Sequence, residues 1–125
     1  MTGTKLVEQA LKLLGYTTHT GDVDNAQSGE QVRRGLAVLN QVLADLCRIK
    51  NPLEDPVQLA NLNDPVPLPE DEAVRVAVPG LAMYLAMGTG DSENYNWFME
   101  EYYQRRNSIK RDHQVRMDVQ PRVQW

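Results

Sequence analysis

The sequence predicts an all-α fold: a small four-helix bundle-like domain with a proline-rich extended loop between helices 2 and 3 and an extended C-terminal arm. Apolar residues recur at three- and four-residue spacing in four stretches, which is the period of a helix with one buried face. Irregular segments separate these stretches. The 125 residues, 42% hydrophobic and 24% charged, are typical of one globular domain. We therefore expect a helical domain over residues 1–112 and an arm over residues 113–125.

The first predicted helix is short. Its one-sided apolar residues are Leu6, Val7, Ala10, Leu11 and Leu14. Gly15 stands where a helix-ending glycine is expected. The polar stretch from Tyr16 to Gln27 lacks periodicity and predicts a loop.

The second helix has the strongest pattern in the chain. Ser28 and Gln31 have the spacing of a capping box, which predicts that the helix begins at Ser28. Its apolar residues then step by four and three: Val32, Leu36, Leu39, Leu43 and Leu46. The repeat lasts for fewer than three heptads, so it favours a core-facing stripe over a coiled-coil seam.

A proline-rich segment, Asn51 to Pro69, follows this helix. Proline removes backbone donors and fixes φ, which predicts extended or turning chain. Apolar residues stand between the prolines and indicate packing, either on the chain's own helices or on a neighbouring copy. The candidate inter-subunit contacts are Leu53, Val57, Leu59, Leu62, Val66 and Leu68.

The third helix opens with Pro69 and the three acids of residues 70–72, which suit the first turn and the positive end of a helix dipole. Adjacent carboxylates there point in different directions, so we predict no metal site. Pro79 is expected to kink or split this helix. Small residues, Gly80 among them, would let another helix approach closely.

The fourth helix is expected to begin at Asp91 or Ser92, either of which can cap it. Its aromatic residues Trp97, Phe98 and Tyr102 lie at helical spacing. This pattern favours a core stripe over a platform for stacking nucleic-acid bases.

Beyond this helix, the segment Val115–Trp125 has a period-two pattern, interrupted by Pro121. Alternation of this kind predicts an extended strand with one apolar face. A lone strand cannot satisfy its own backbone, so we expect it to fold on a partner's sheet edge or groove; the alternative is a frayed terminus. The docking residues would be Val115, Met117, Val119, Val123 and Trp125.

The net charge of −4 hides an asymmetry, because the residues from Gln104 onward carry an excess of four positive charges and the remainder eight negative ones. A basic end on an acidic body is typical of contact with nucleic acid or an acidic protein surface. Basic residues are also favoured at a helix C-terminus by the dipole alone. The candidate contacts are Arg105, Arg106, Lys110 and Arg111.

Several classes of function lack support in the sequence. Cys47 is the single cysteine, and His19 and His113 are the two histidines, so neither an internal disulfide nor a zinc-ligand cluster can be assembled. No catalytic triad or phosphate-binding glycine loop is recognisable. We predict a protein that is not an enzyme, binds no cofactor or metal, and does not enter a membrane.

The order of motifs resembles the small head-tail connector (adaptor, head-completion) proteins of tailed bacteriophages. The matching segments are ALKLLG at 10–15, GLAVLNQVLADL at 35–46, PVPLPEDEA at 65–73 and GLAMYLA at 80–86. The resemblance covers residues 5 to 112. It implies an all-helical structural protein of the virion at the head-tail junction, assembled in the host cytoplasm.

In that resemblance, copies of the chain form a ring, dodecameric in the family, beneath the portal protein. The implied partners are the portal, a downstream tail or head-completion protein, and phage DNA that passes through the channel without sequence-specific contact. The alternative is a small helical DNA-binding or regulatory protein, against which stand the acidic body and the lack of a helix-turn-helix pattern.

Overall fold

A computed structural model describes residues 1–16 and 25–122, with the surroundings of side chains in 1–16 and 33–111. No strand occurs in these ranges; Thr2 and Pro65 form an isolated antiparallel bridge. The all-α prediction is therefore confirmed for the described chain. The helices are α1 (Gly3–Leu13), α2 (Asn25–Lys50), α3 (Glu70–Glu72), α4 (Val78–Thr89) and α5 (Ser92–Arg122), with a π-helical turn (Ala73–Ala77) between α3 and α4.

Helix α4 is at the centre of the fold and packs against α1, α2 and α5. Its residues from Val78 to Met83 are all buried, so it has no solvent-facing side in that stretch. The surrounding helices instead have one apolar stripe each. Leu6 and Leu11 of α1 and Leu39 of α2 are fully buried in the same core.

Helix α1 agrees with its predicted position. Thr2 caps its start by accepting the Lys5 amide on its hydroxyl oxygen at 3.4 Å. The helix ends at Leu13, and Gly15 has a φ of +89°. That left-handed conformation is accessible to glycine without the steric cost that a Cβ imposes.

Helix α2 begins three residues earlier than the sequence predicts. It starts at Asn25, so Ser28 lies inside the helix and the predicted capping box is wrong. Ala26 and Gln27 are compatible with a helix, and each added residue gains a backbone hydrogen bond. The predicted core stripe is confirmed at Leu39, Leu43 and Leu46, all of which are buried.

Residues 51–69 return from α2 across the N-terminus of the chain. The Val66 amide donates to the Met1 carbonyl and the Thr4 amide donates to the Leu62 carbonyl, both at 2.9 Å. Asn40 of α2 forms two hydrogen bonds with Leu59: its side chain accepts the Leu59 amide at 2.8 Å and donates to the Leu59 carbonyl at 3.1 Å. These bonds satisfy backbone groups that proline-rich chain cannot pair with itself.

Pro79 does not split the helix around it, because residues 70–89 are helical throughout, but the type of helix changes before it. Just before it, the helix widens into the π-helical turn, in which the Val78 amide bonds to the Ala73 carbonyl five residues back. Pro79 has no amide hydrogen for the carbonyl of Arg75, four residues earlier. That carbonyl accepts a hydrogen bond of 2.8 Å from Nη1 of Arg105 on α5.

The extended conformation predicted for Val115–Trp125 is wrong up to Arg122, because α5 continues as a helix through that residue. Residues 123–125 lie outside the described chain. A lone strand leaves its amides and carbonyls unpaired, whereas an existing helix adds a hydrogen bond with each residue and needs no new nucleus. Helix α5 thus also crosses the boundary expected at Asp112.

Candidate functional site

The candidate inter-subunit residues of the proline-rich segment have different surroundings. Leu59 and Val66 are buried in the chain's own core. Leu62 and Leu68 are half-buried against that core. Leu53 is 99% exposed and Val57 is also exposed, so these two remain available to a neighbouring protein.

The aromatic stripe predicted on α5 is only partly correct. Phe98 and Tyr102 are buried, but Trp97 is 61% exposed. The helix turns by about 100° per residue, which places Trp97 beside the boundary of the buried face rather than within it. Glu93 and Glu100 are also exposed, four residues before and three residues after Trp97. We call these three residues the Trp97 ridge.

A polar network lies where α2, α4 and α5 meet. Tyr102 is fully buried and its hydroxyl donates to Oδ2 of Asp45 at 2.6 Å. The same oxygen lies 3.0 Å from Nε of Arg106, an ion pair whose atoms are not aligned as a hydrogen bond. The Arg106 guanidinium also lies over the Tyr103 ring, 5.4 Å from its centroid. The network thus fixes α5 against α2 by charge and hydrogen bonding.

Burial is the main cause that raises the pKa of Tyr102, because the phenolate would lose its hydration; the hydrogen bond to Asp45 and the charge of that carboxylate raise it further. Burial likewise raises the pKa of Tyr84 on α4, and Tyr103 and Asp45 add to this effect. Both phenols are therefore neutral in the folded protein well above neutral pH.

We expect the folded protein to lose stability steeply in alkali. The unfolded chain ionises Tyr102 at an ordinary pKa of about 10, whereas the folded chain keeps it protonated to higher pH. The contribution is present below pH 10 and falls above it, by up to about 1.4 kcal/mol for each pH unit. Urea unfolding between pH 8 and 11 measures this slope. Tyr102→Phe should reduce the slope, and Tyr16→Phe, which changes a tyrosine outside this network, should retain it.

The four candidate cations on α5 divide into two pairs. Arg105 forms an ion pair with Glu101 at 3.0 Å in addition to its bond to the Arg75 carbonyl, and Arg106 is paired with Asp45. Lys110 and Arg111 are exposed. The structure therefore gives Arg105 and Arg106 internal contacts and leaves Lys110 and Arg111 facing solvent.

A groove of about 810 Å³ opens between the C-terminal end of α2, the start of the proline-rich segment and α5. We call it the basic groove, because four cationic side chains line it against the two acidic side chains Asp45 and Glu54. Ile49, Pro52 and Leu53 form its apolar wall. The cations are Arg48, Lys50, Arg106 and Lys110. Lys50 is paired with Glu72, and Arg48 and Lys110 are exposed.

The docking residues predicted in the C-terminal segment have no described side-chain surroundings: Val115, Met117 and Val119 lie on the α5 backbone, and Val123 and Trp125 lie outside the described residues. Within the described residues, no group of three or more histidine, cysteine, aspartate or glutamate side chains could hold a metal ion. Within those same ranges, no helix is long and apolar enough to cross a membrane.

Comparisons with protein-family models, with curated proteins and with solved structures find no match for this chain.

Sequence reasoning missed the basic groove and the role of Asp45. The groove joins residues 45–54 to positions 106 and 110, and only folding brings these together. One signal was present for Asp45: it immediately precedes Leu46 on the core stripe of α2. An acid beside a buried stripe requires a partner, and Tyr102 and Arg106, four residues apart on α5, provide two.

Proposed function

We propose that this chain is a structural protein of the head-tail junction of a tailed bacteriophage. In this proposal, copies form a connector ring beneath the portal protein, the C-terminal segment Val115–Trp125 docks the portal, and the opposite side receives a tail component. The bundle-like helical body and the proline-rich loop are the scaffold of the ring. DNA passes through the channel without sequence-specific contact.

The observation that carries the proposal has two parts: the four segments that resemble connector proteins stand in the same order, and residues from all four are buried together. Leu11, Leu39, Val66 and Leu81 come from the four segments and are all buried in one core. Segments that resemble connector proteins are thus the segments that build the body of this chain. This supports a similar arrangement of the body, and the exposed side chains are left for contacts between proteins.

Exposed apolar side chains give the proposal separate support. Leu53, Val57 and Trp97 are exposed although each is apolar. Apolar groups on a surface are typical of sites where another protein binds, when the surface of that protein is complementary to them.

Removing the C-terminal segment is expected to abolish attachment to the portal and to leave the helical body folded. The physical reason is that five of the eleven residues of this segment are large apolar residues, a tryptophan among them, which a solvated chain end seldom carries. The measurement is a pull-down from phage-infected lysate, treated with nuclease, with the full chain and with a version ending at Gln114. Circular dichroism checks that the shortened protein keeps the helicity of residues 1–114.

Two full-length variants distinguish the loss of docking side chains from the effect of shortening the chain. Met117→Ser, Val119→Ser and Val123→Ser together should lose the portal protein. Arg116→Ser, Asp118→Ser and Gln120→Ser, the matched changes at the alternating polar positions, should keep it. Equal recovery by both triple variants would contradict apolar docking through this segment.

A second candidate function, non-specific DNA binding, is favoured by the exposure of Lys110 and Arg111. Phosphate contacts of this kind weaken steeply with salt and carry no sequence preference. If the pull-down without nuclease recovers only nuclease-sensitive DNA, and the pull-down with nuclease recovers no portal, the DNA-binding function replaces the connector function.

A further inference from the structure

The Trp97 ridge and the basic groove are complementary in charge, and both carry exposed apolar groups. The ridge presents an indole that is 61% exposed, with an exposed glutamate on each side. Residues four and three apart are neighbours on a helix surface, so the three side chains stand in one row. A projecting aromatic group between two carboxylates is suited to an apolar slot with cations at its rim.

The ridge cannot reach the groove of its own copy. Arg106 lines the groove and follows Trp97 by nine residues, or about two and a half helical turns. The two residues therefore lie on opposite sides of α5. The groove also opens about 20 Å further along that helix, taking about 1.5 Å per residue from Trp97 to Lys110.

The groove has two cations without an ion pair among the described residues, in addition to its apolar wall. Arg106 and Lys50 are already paired with Asp45 and Glu72, and Glu54 stands exposed at the rim. Arg48 and Lys110 have no ion pair within 4 Å among the described residues. They can therefore receive two carboxylates from outside.

The apolar wall supplies the place for an aromatic group. The Leu53 side chain is 99% exposed, and with Ile49 and Pro52 it forms one side of the 810 Å³ groove. Water held against three apolar side chains is released when an indole covers them. A ligand that is both aromatic and acidic thus matches both parts of the groove, and the chain carries such a surface itself.

We propose that copies of this chain associate head to tail, with the Trp97 ridge of one copy in the basic groove of the next. Two different surfaces of the chain form this contact, so it is heterologous and each copy keeps one free ridge and one free groove. Such a contact generates a ring when its rotation closes. The closed ring rests on the proposed connector function; the contact itself does not require the portal.

Analytical ultracentrifugation of the full chain up to millimolar concentration tests the contact. At low salt we expect species that grow beyond a dimer with concentration, and we expect added salt to weaken them because the rim charges are exposed. Trp97→Ala should weaken association by about 30-fold or more, since a central tryptophan dominates such interfaces. Leu13→Ala removes an apolar side chain on α1 that is 51% exposed and should have little effect.

Charge-reversal variants test the contribution of the charged side chains to the contact. Glu100→Lys on the ridge and Lys110→Glu in the groove should each weaken association by about 10-fold or more. Glu8→Lys changes an exposed glutamate on α1 and is the matched control. All three positions are exposed, so circular dichroism should show an unchanged fold.

A mixing experiment distinguishes a head-to-tail contact from a symmetric one. Trp97→Ala keeps an intact groove, and the double variant Leu53→Ser with Lys110→Glu keeps an intact ridge. Each alone should be monomeric, and their mixture should form a one-to-one dimer that grows no further, because one intact pair of surfaces remains.

Three results would overturn the proposal: a full chain that stays monomeric at millimolar concentration and low salt, ridge and groove variants that associate as the parent does, or defective variants that fail to pair when mixed. None of these results bears on recovery of the portal through Val115–Trp125. Loss of portal recovery with intact self-association would instead remove the connector function and leave the contact standing.

Discussion

Tyr102→Ala is expected to lower the free energy of unfolding by about 3–5 kcal/mol, the range for deleting a buried aromatic side chain. Tyr102 is fully buried between α4 and α5, so its removal leaves a cavity beside Gly80. The change also removes the 2.6 Å hydrogen bond to Asp45. Because native domains are stable by only about 5–15 kcal/mol, the variant should be close to unfolding at moderate temperature.

Chemical denaturation at pH 7 measures this loss, and Tyr102→Phe is its matched control. Phenylalanine keeps the ring and removes the hydroxyl, so it should cost about 1.5–3 kcal/mol, the range for one hydrogen bond to a charged group. Asp45 retains its ion pair with Arg106 in this variant. If the phenylalanine variant were as unstable as the alanine variant, the hydrogen bond rather than the packing would hold α5 in place.

Gly80→Ala is expected to destabilise the protein by about 2 kcal/mol, the range for overpacking a closely packed core. A Cβ at Gly80 would lie 2.8 Å from Cε1 and 2.9 Å from Cδ1 of Tyr102. The ring is rigid and its hydroxyl is bonded to Asp45, so it cannot move aside independently. Helix α5 must shift away from α4. The stability lost by this separation exceeds the stability gained from the higher helix propensity of alanine.

Gly88→Ala is the control for helix preference, because it makes the same change on the same helix. A Cβ at Gly88 would meet the far end of the flexible Arg34 side chain rather than a rigid ring, so Arg34 has to shift from its present position and from the interaction that it makes there. We expect its free energy of unfolding to stay within about 1 kcal/mol of the parent. A Gly80 variant that matched the Gly88 variant would contradict close packing of α4 on α5.

The two sites should also be coupled. Once Tyr102→Ala has removed the ring, a methyl group at Gly80 enters the cavity and no longer collides. In that background Gly80→Ala should change from destabilising to neutral or stabilising. Non-additivity of this kind is expected for residues in direct contact, and its absence would place the two side chains in separate environments.

The polar network and the proposed self-association use opposite sides of α5. Tyr102 and Arg106 face α2 and hold α5 in one orientation, while Glu93, Trp97 and Glu100 face solvent. The orientation of the helix therefore decides which residues are exposed together. A loosened network should weaken the head-to-tail contact as well, because the Trp97 ridge would lose its fixed position relative to the groove.

Helix period alone was enough to predict the core stripes. Leu6, Leu11, Leu39 and Leu46 were all expected on buried faces and all are buried. Each apolar side chain is stabilised by its own burial, so the buried face of a helix appears as a local pattern in the sequence. A local effect at Pro79 was predictable, because a missing amide hydrogen acts within one turn, but the π-helical turn that keeps the helix continuous was not.

Trp97 and residues 115–122 show where local pattern fails. Trp97 fits the spacing of an aromatic stripe, yet neighbouring helices cover only part of α5, and the packing leaves this indole outside. The alternation from Val115 onward predicts a strand, yet a strand needs a second chain segment to bond with, while a helix that already exists needs none. In both cases the outcome depends on what lies nearby in space.

By itself the sequence determined the helical class, the buried stripes, a local effect at Pro79 and the charge asymmetry, because each follows from residues within a few turns of one another. Only the tertiary structure decided that Asp45 joins Tyr102 and Arg106, that Arg105 bonds to the Arg75 carbonyl, and that the basic groove stands opposite the Trp97 ridge. These contacts join residues about 30 to 60 positions apart, and such pairs leave no periodic pattern in a single chain. Their energies depend on distance and burial, which exist only after the helices have packed.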